Sequence, residues 1–457
     1  MKSSSIRIQQ TKSPLIMLRR PFKDFLKTEA FSGILLVICT VLALVIANSQ
    51  LSHDYFELWE VDLEITVGSF TFGKPLHLWI NDGLMALFFF VVGLEIKREL
   101  LVGELKSPKK ALLPIAGAMG GMIMPAILYS LINLNNPSGA RGWGIAMATD
   151  IAFVIGVMAL LGTRVPHTLK IFLTSLAIVD DIGAVLVIAV FYSQTLDYTF
   201  LLIAAGLFLC LLIINQRGVQ NHIVYGILGI LLWYFMFSSG LHATLAGILV
   251  ALTVPAQTRM NPEEFIQEGQ SILDRFKAAG RRDKEILLNR QHLAALKTLE
   301  LAVLDVQTPL QRFERALHYW VGFAVMPLFI FANAGITIER IDLEMFFEPV
   351  SLGVIIGLIL GKPLGISLFS WIAVKIGLAD LPSGLTWSYI YGGSCLGGIG
   401  FTMSLFIAGL ALISPTNLIM AKIGIITASL ISGIVGFVIL RYMGIRAQKK
   451  HEETNIQ

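Results

Sequence analysis

Twelve apolar windows long enough to cross a bilayer run through this chain. They lie at about 30–48, 77–100, 111–133, 143–161, 171–192, 199–214, 222–238, 240–254, 316–336, 349–374, 386–413 and 416–440. A hydrocarbon core about 30 Å thick takes roughly 20 helical residues to span. Lipid offers backbone amides no hydrogen-bonding partner, so only helices and closed barrels cross it. Windows of this length predict an all-α polytopic membrane protein of about twelve transmembrane helices. Composition agrees: 14% of residues are charged and 55% hydrophobic, against roughly 25% charged in soluble domains. Cys39, Cys210 and Cys395 all fall in apolar windows and are widely spaced. They read as small packing residues, with no disulfide frame or metal site. The first window is too long for a secretory signal core and follows a charged leader, so it is expected to stay as an anchor.

The basic residues give an independent view of topology. With residues 1–29 placed inside, 30 of the 35 Lys and Arg residues fall in inner segments, while the outer loops hold only Lys74, Arg141 and Arg340. This asymmetry predicts cytoplasmic termini at both ends. The organisation is then a cytoplasmic segment 1–29, helices over 30–254, a cytoplasmic insert 255–315, helices over 316–440 and a cytoplasmic tail 441–457. The net charge of +4 follows from this arrangement and implies no nucleic-acid partner. Residues 61–73 alternate and turn at Gly68-Ser69, which predicts a small outer β-hairpin. It is a folded connector, or an edge offered to a second copy. Residues 257–313 carry helical apolar spacing at Ile286, Leu287, Leu293, Leu296 and Leu299. That spacing predicts a solvated helical hairpin.

Ionisable residues inside the windows are where function is expected, because a charge at bilayer depth is costly. The run Val179-Asp180-Asp181-Ile182 places two carboxylates side by side, and Asp150 and Lys362 lie well within other windows. A lysine and three carboxylates at that depth must face one another or water. Adjacent helical positions diverge by about 100°, so Asp180 and Asp181 cannot do the same job. One can pair with Lys362 while the other faces an aqueous cavity with Asp150. A purely stabilising buried pair is the weaker explanation, since apolar replacement of such pairs is often neutral. Asp82, Glu95, His242 and Lys422 sit nearer the window ends, where capping, pairing or snorkelling accounts for them.

Backbone breaks point the same way. Gly392-Gly393-Ser394-Cys395-Leu396-Gly397-Gly398-Ile399-Gly400-Phe401-Thr402 lies in mid-window. Its glycines predict a broken helix lining a cavity or buried in protein. No strand precedes it and no acidic ribose partner follows, which excludes a nucleotide loop. The Ala148-Thr149-Asp150 stretch carries no such signal, and its residues alone predict a continuous helix.

The motifs Ala148-Thr149-Asp150-Ile151-Ala152-Phe153, Asp180-Asp181-Ile182-Gly183-Ala184, His242-Ala243-Thr244-Leu245-Ala246-Gly247, Phe331-Ala332-Asn333-Ala334-Gly335, Gly361-Lys362-Pro363-Leu364-Gly365 and Gly398-Ile399-Gly400-Phe401-Thr402-Met403-Ser404 occur in that order. With them the chain resembles the NhaA-type sodium/proton antiporters across nearly all of 30–440. The resemblance implies inverted repeats formed by spans 3–5 and 10–12. It also implies two broken helices that cross near Asp150 and Lys362. It implies Asp181 as the main cation ligand, Asp180 as the partner of Lys362, and Thr149, Asp150, Phe401 and Thr402 completing the crossing. It further implies a cytoplasmic pH-response region of Glu95, Arg98, Glu99, Glu314 and His318. Where the family pattern has a histidine beside the glutamate, this chain has Arg315, which counts with those pH-response candidates and is expected to displace the response, and the 257–313 insert is longer than the family's loop.

The implied activity is electrogenic, pH-regulated export of Na+ or Li+ in exchange for H+, in a bacterial inner membrane. The protein would be no enzyme and need no cofactor. Its surroundings would be membrane lipids and a second copy joined through the outer hairpin. Two other classes compete. A channel needs a continuous pore, and coupled fluxes in vesicles separate it from an exchanger. An intramembrane aspartyl enzyme needs two carboxylates sharing a proton, and activity on a peptide or lipid would reveal it.

Overall fold

The computed structural model describes residues 29–68, 70–193, 196–278, 290–337 and 343–456. The leader 1–28 and the insert residues Ile286 and Leu287 lie outside this set. Helix α1 (Glu29–Ala47) is followed by α2 (Ser52–Glu60), bent from it by 111°. This bend follows from composition. The α2 sequence alternates acidic residues with Tyr55 and Trp59, so it lies flat on the protein instead of prolonging an apolar rod. Both aromatic rings stack edge-on to Phe331, at 5.6 and 5.8 Å between centroids.

Strands β1 (Asp62–Val67) and β2 (Phe70–Pro75) then pair antiparallel, in a register running from Asp62 opposite Pro75 to Val67 opposite Phe70. Gly68 makes the turn at φ 64°, in the left-handed region that glycine adopts freely.

The remaining helices are α3 (Leu76–Val102), α4 (Pro108–Ile132), α5 (Ile151–Leu161), α6 (His167–Phe191), α7 (Tyr198–Gln216), α8 (His222–Ser238) and α9 (Thr244–Thr253). After these come α10 (Pro262–Ala278), α11 (Arg290–Val306), α12 (Pro309–Asn333), α13 (Pro349–Lys375), α14 (Trp387–Gly397), α15 (Phe401–Ala411) and α16 (Pro415–Ile456). Each apolar window of the sequence lies on helical structure. Among the described residues, eight helical stretches are long and apolar enough to cross a membrane, one of them the interrupted stretch Ala140–Arg164. They become up to ten if the bent pairs α1/α2 and α14/α15 each count as one, and α8 and α9 are shorter apolar helices.

Helices α10 and α11 pack on each other through Phe265, Ile272, Phe276, Ala295, Leu299 and Ala302, separately from the main core. That core joins α1, α3–α6 and α12–α16. A second cluster joins α3 to α7, α8 and α9. One close crossing is α4 on α13. A Cβ at Gly120 would stand 2.1 Å from the Gly365 carbonyl oxygen, and one at Gly365 would stand 2.1 Å from that of Gly120. Small residues let membrane helices approach this closely.

One sequence expectation fails here. The window at 143–161 is not one continuous helix. Residues Ala140–Met147 form a 3-10 segment, and Ala148 (φ −78°, ψ 145°) and Asp150 (φ −92°, ψ 99°) are extended before α5 starts. The reason is side-chain chemistry: the Asp150 carboxylate caps α5, accepting the N–H groups of Ala152 and Phe153 at 3.1 and 3.2 Å. A short acidic side chain competes with helix continuation in this way.

Candidate ion site

The two breaks meet. The Asp150 N–H donates to the Ile399 carbonyl at 2.6 Å, and the Thr149 hydroxyl donates to the Gly397 carbonyl at 2.9 Å. Unpaired backbone groups in a membrane protein must find protein partners, and these two breaks satisfy one another. The Asp150 carboxylate, 1% exposed, reaches further: Oδ2 accepts the Thr402 N–H at 2.9 Å and also the Thr402 hydroxyl. It therefore sits at the N-termini of both α5 and α15, where a negative charge is favoured. Phe401 packs edge-on to Phe153 at 5.1 Å and closes the crossing on its apolar side.

On α6, helical stepping sends the paired aspartates different ways. Lys362, fully buried on α13, donates to Asp180 Oδ2 at 2.5 Å and to the Thr149 hydroxyl at 2.8 Å. The Lys362–Thr149–Gly397 chain thus links the ammonium to the C-terminal carbonyls of α14, the end of a helix that favours positive charge. Asp180 Oδ1 has no hydrogen-bond partner among the described residues. Asp181, only 3% exposed, has no hydrogen bond or ion pair among the described residues. Its electrostatic neighbours are the carboxylates of Asp180, Glu95 and Asp150 and the ammonium of Lys362. Three buried carboxylates against one lysine leave excess negative charge, which must be neutralised by protons or cations. The free groups, Asp181 and Asp180 Oδ1, are oxygens able to bind either.

A second cluster lies at the end of α3 opposite the strands. Arg98 is bonded to Glu314 of α12 and stands 3.6 Å from Glu99, while His318 Nδ1 is 3.7 Å from Glu95 Oε1. Glu99 also accepts the Glu104 N–H at 3.2 Å, so part of its capacity goes to ending α3. The structure thus brings Glu95, Arg98, Glu99, Glu314 and His318 together and leaves Arg315 out. Arg315 is exposed, with no partner among the described residues. One helical step of about 100° from Glu314 turns it off the face that meets α3. His242 is a packed residue, its Nε2 lying 2.8 Å from the Tyr192 carbonyl.

Sequence reading missed the partners supplied by bare backbone and by serines. The carbonyls of Gly397 and Ile399 carry no sequence signal. The Ser404 hydroxyl donates to the Ile145 carbonyl at 2.8 Å, and that of Ser429 accepts the Phe401 N–H at 3.2 Å. Ser404 lies inside a quoted motif and could have been flagged; Ser429, within an apolar window, could not.

A polytopic helical protein with a charge cluster where two broken helices cross has the build of an ion-coupled secondary transporter. Residues 23–440 match the model of the family described as Na+/H+ antiporter 1, and the chain belongs to that family, one of transporters rather than enzymes. It is an integral membrane protein. The Na(+)/H(+) antiporter NhaA 2 of Syntrophotalea carbinolica is 49% identical over 93% of this chain and 97% of its own. NhaA 1 of Saccharophagus degradans is 49% identical over 93% and 92%, and NhaA of Oleidesulfovibrio alaskensis 46% over 94% and 95%.

Proposed function

We propose that this chain exchanges intracellular Na+ or Li+ for external H+, electrogenically and under pH control, across a bacterial inner membrane. The observation that carries this reading is the state of Asp181: a carboxylate 3% exposed, unbonded, and among three like-charged neighbours. An ionised group so placed takes either a proton or a small cation, and one excludes the other. A single site therefore serves both substrates in turn. Asp181 is the principal ligand, with the free oxygen of Asp180 beside it. Lys362 holds the other Asp180 oxygen until a cation competes for it. Asp150 and Lys362 offset the helix-end dipoles at the crossing.

In this reading the chain has twelve spans with both termini cytoplasmic. The elements of spans 3–5 and 10–12 repeat in inverted orientation. Pairing of like with like supports the repeat: α4 crosses α13 at Gly120 and Gly365, and the break before α5 meets the break before α15. Rocking of one bundle against the other then exposes the site alternately inward and outward. The cluster of Glu95, Arg98, Glu99, Glu314 and His318 lies on the cytoplasmic side and biases which state is populated. The β1–β2 pair lies outside the bilayer, where its free edge joins a second copy, and membrane lipids surround the helices. The insert carrying α10 and α11 is a cytoplasmic appendage.

The test is collapse of a dye-reported pH gradient in everted vesicles on adding Na+, Li+ or K+. Collapse with Na+ and Li+ and not K+ supports the reading. Sodium flux with no linked proton movement would favour a channel and sink it.

A further inference from the structure

Helix α15 begins without a cap of its own. Gly400 stands at its N-cap position and offers no side chain to the free amides of the first turn. Two of those amides are met from distant parts of the chain. The Thr402 N–H goes to Asp150, and the neighbouring Phe401 N–H goes to Ser429 Oγ of α16 at 3.2 Å. Both bonds are buried, and Ser429 is 8% exposed.

We propose that Ser429 is a positioning residue for the ion site. By holding the Phe401 N–H it fixes the direction of the first turn of α15, and so keeps the Thr402 amide and hydroxyl on Asp150. Adjacent amides of one helical turn are rigidly related, so a turn held at two points cannot pivot, and one held at Asp150 alone can. Ser429 supplies the second of these two holds, from a different helix than Asp150. It touches neither ion nor carboxylate and acts only through Thr402.

The same face of α16 supplies a contrast. Ser432, one turn along, is 2% exposed, has no hydrogen-bond partner among the described residues, and lies 2.6 Å from where a Cβ at Gly398 would stand. It too is buried against the same break. Loss of its hydroxyl should therefore cost the site little.

This inference rests on the reading of Asp150 as part of the exchange site, and the experiment separates the two. Sodium-dependent exchange is measured in everted vesicles for full-length protein carrying Ser429→Ala, Ser429→Thr, Ser432→Ala or Asp150→Asn. A neutral buried hydrogen bond corresponds to about a fivefold change in an equilibrium. Ser429→Ala is expected to raise the apparent KM for Na+ about fivefold with the maximal rate little changed. Ser429→Thr, which keeps the hydroxyl, returns KM to the wild-type value, and Ser432→Ala stays near it. If Ser429→Ala matches Ser432→Ala in KM while Asp150→Asn is impaired, Ser429 does not position the site. If Asp150→Asn exchanges normally, the reading of the site itself fails. Should Ser429→Ala not accumulate in the membrane, Ser429→Cys replaces it at similar volume with a weaker acceptor. A wild-type KM in that variant overturns the proposal equally.

Discussion

Asp181 and Asp180 are neighbours in sequence with opposite circumstances, and that difference decides what each substitution should do. Asp181 has no hydrogen bond or ion pair among the described residues to strand, so Asp181→Asn should leave folding and insertion intact while abolishing Na+- and Li+-driven proton movement. Normal exchange by a well-expressed Asp181→Asn protein removes it from the site. Asp180 is tied to Lys362 at 2.5 Å with both groups out of solvent. Removing one member strands the other charge at a cost of roughly 3–5 kcal/mol. Lys362→Ala should therefore lower thermal stability in detergent, and combining Asp180→Asn with Lys362→Gln should recover part of the loss. A double variant whose loss equals the sum of the two single losses shows the pair to be uncoupled. The four buried charged residues were legible in the sequence because charge in an apolar window is rare and costly. Which aspartate meets Lys362 came from the family resemblance and not from the residues alone, because it depends on the rotation of α6 against α13.

At the scale of elements, α13 carries Lys362, and its approach to α4 sets where that lysine stands. A Cβ at Gly120 would meet the backbone carbonyl of Gly365 at 2.1 Å, and backbone cannot swing aside as a side chain can. Gly120→Val should push the helices apart, at an overpacking cost of roughly 1–3 kcal/mol, and lower both thermal stability and exchange. Gly206→Ala on α7 is the control, since nothing lies within 4 Å of a Cβ there, and it should be neutral. Equal stability of the two variants would mean that the crossing relaxes freely. The two breaks show what sequence does and does not disclose about elements. The glycines at 397, 398 and 400 advertise the break before α15, because they weaken helix locally. Ala148-Thr149-Asp150 contains no glycine or proline to advertise a break. Its extended form depends on the carbonyls of Gly397 and Ile399, more than 240 residues away in sequence. Local propensity cannot report a partner at that distance.

For the whole molecule, the consequence is a response to pH. Site carboxylates that hold protons bind no sodium, and ionised carboxylates bind sodium but supply no proton. Exchange should be low in acid and rise through neutral to alkaline pH, with apparent sodium affinity strengthening as protons leave. A sodium affinity independent of pH would defeat competition at one site. The cluster joining α3 to α12 acts on this separately. Protonated His318 attracts Glu95 at 3.7 Å and helps hold the two helices together. His318→Gln removes that attraction and should move the pH of half-maximal exchange. The imidazole is 62% exposed, and exposed pairs are weak, so the displacement should be about half a pH unit. Arg315 faces away from the cluster, and Arg315→His should leave the midpoint where it is. A midpoint that moves with Arg315→His and not with His318→Gln would place pH control on the outward face of α12, independent of its contact with α3.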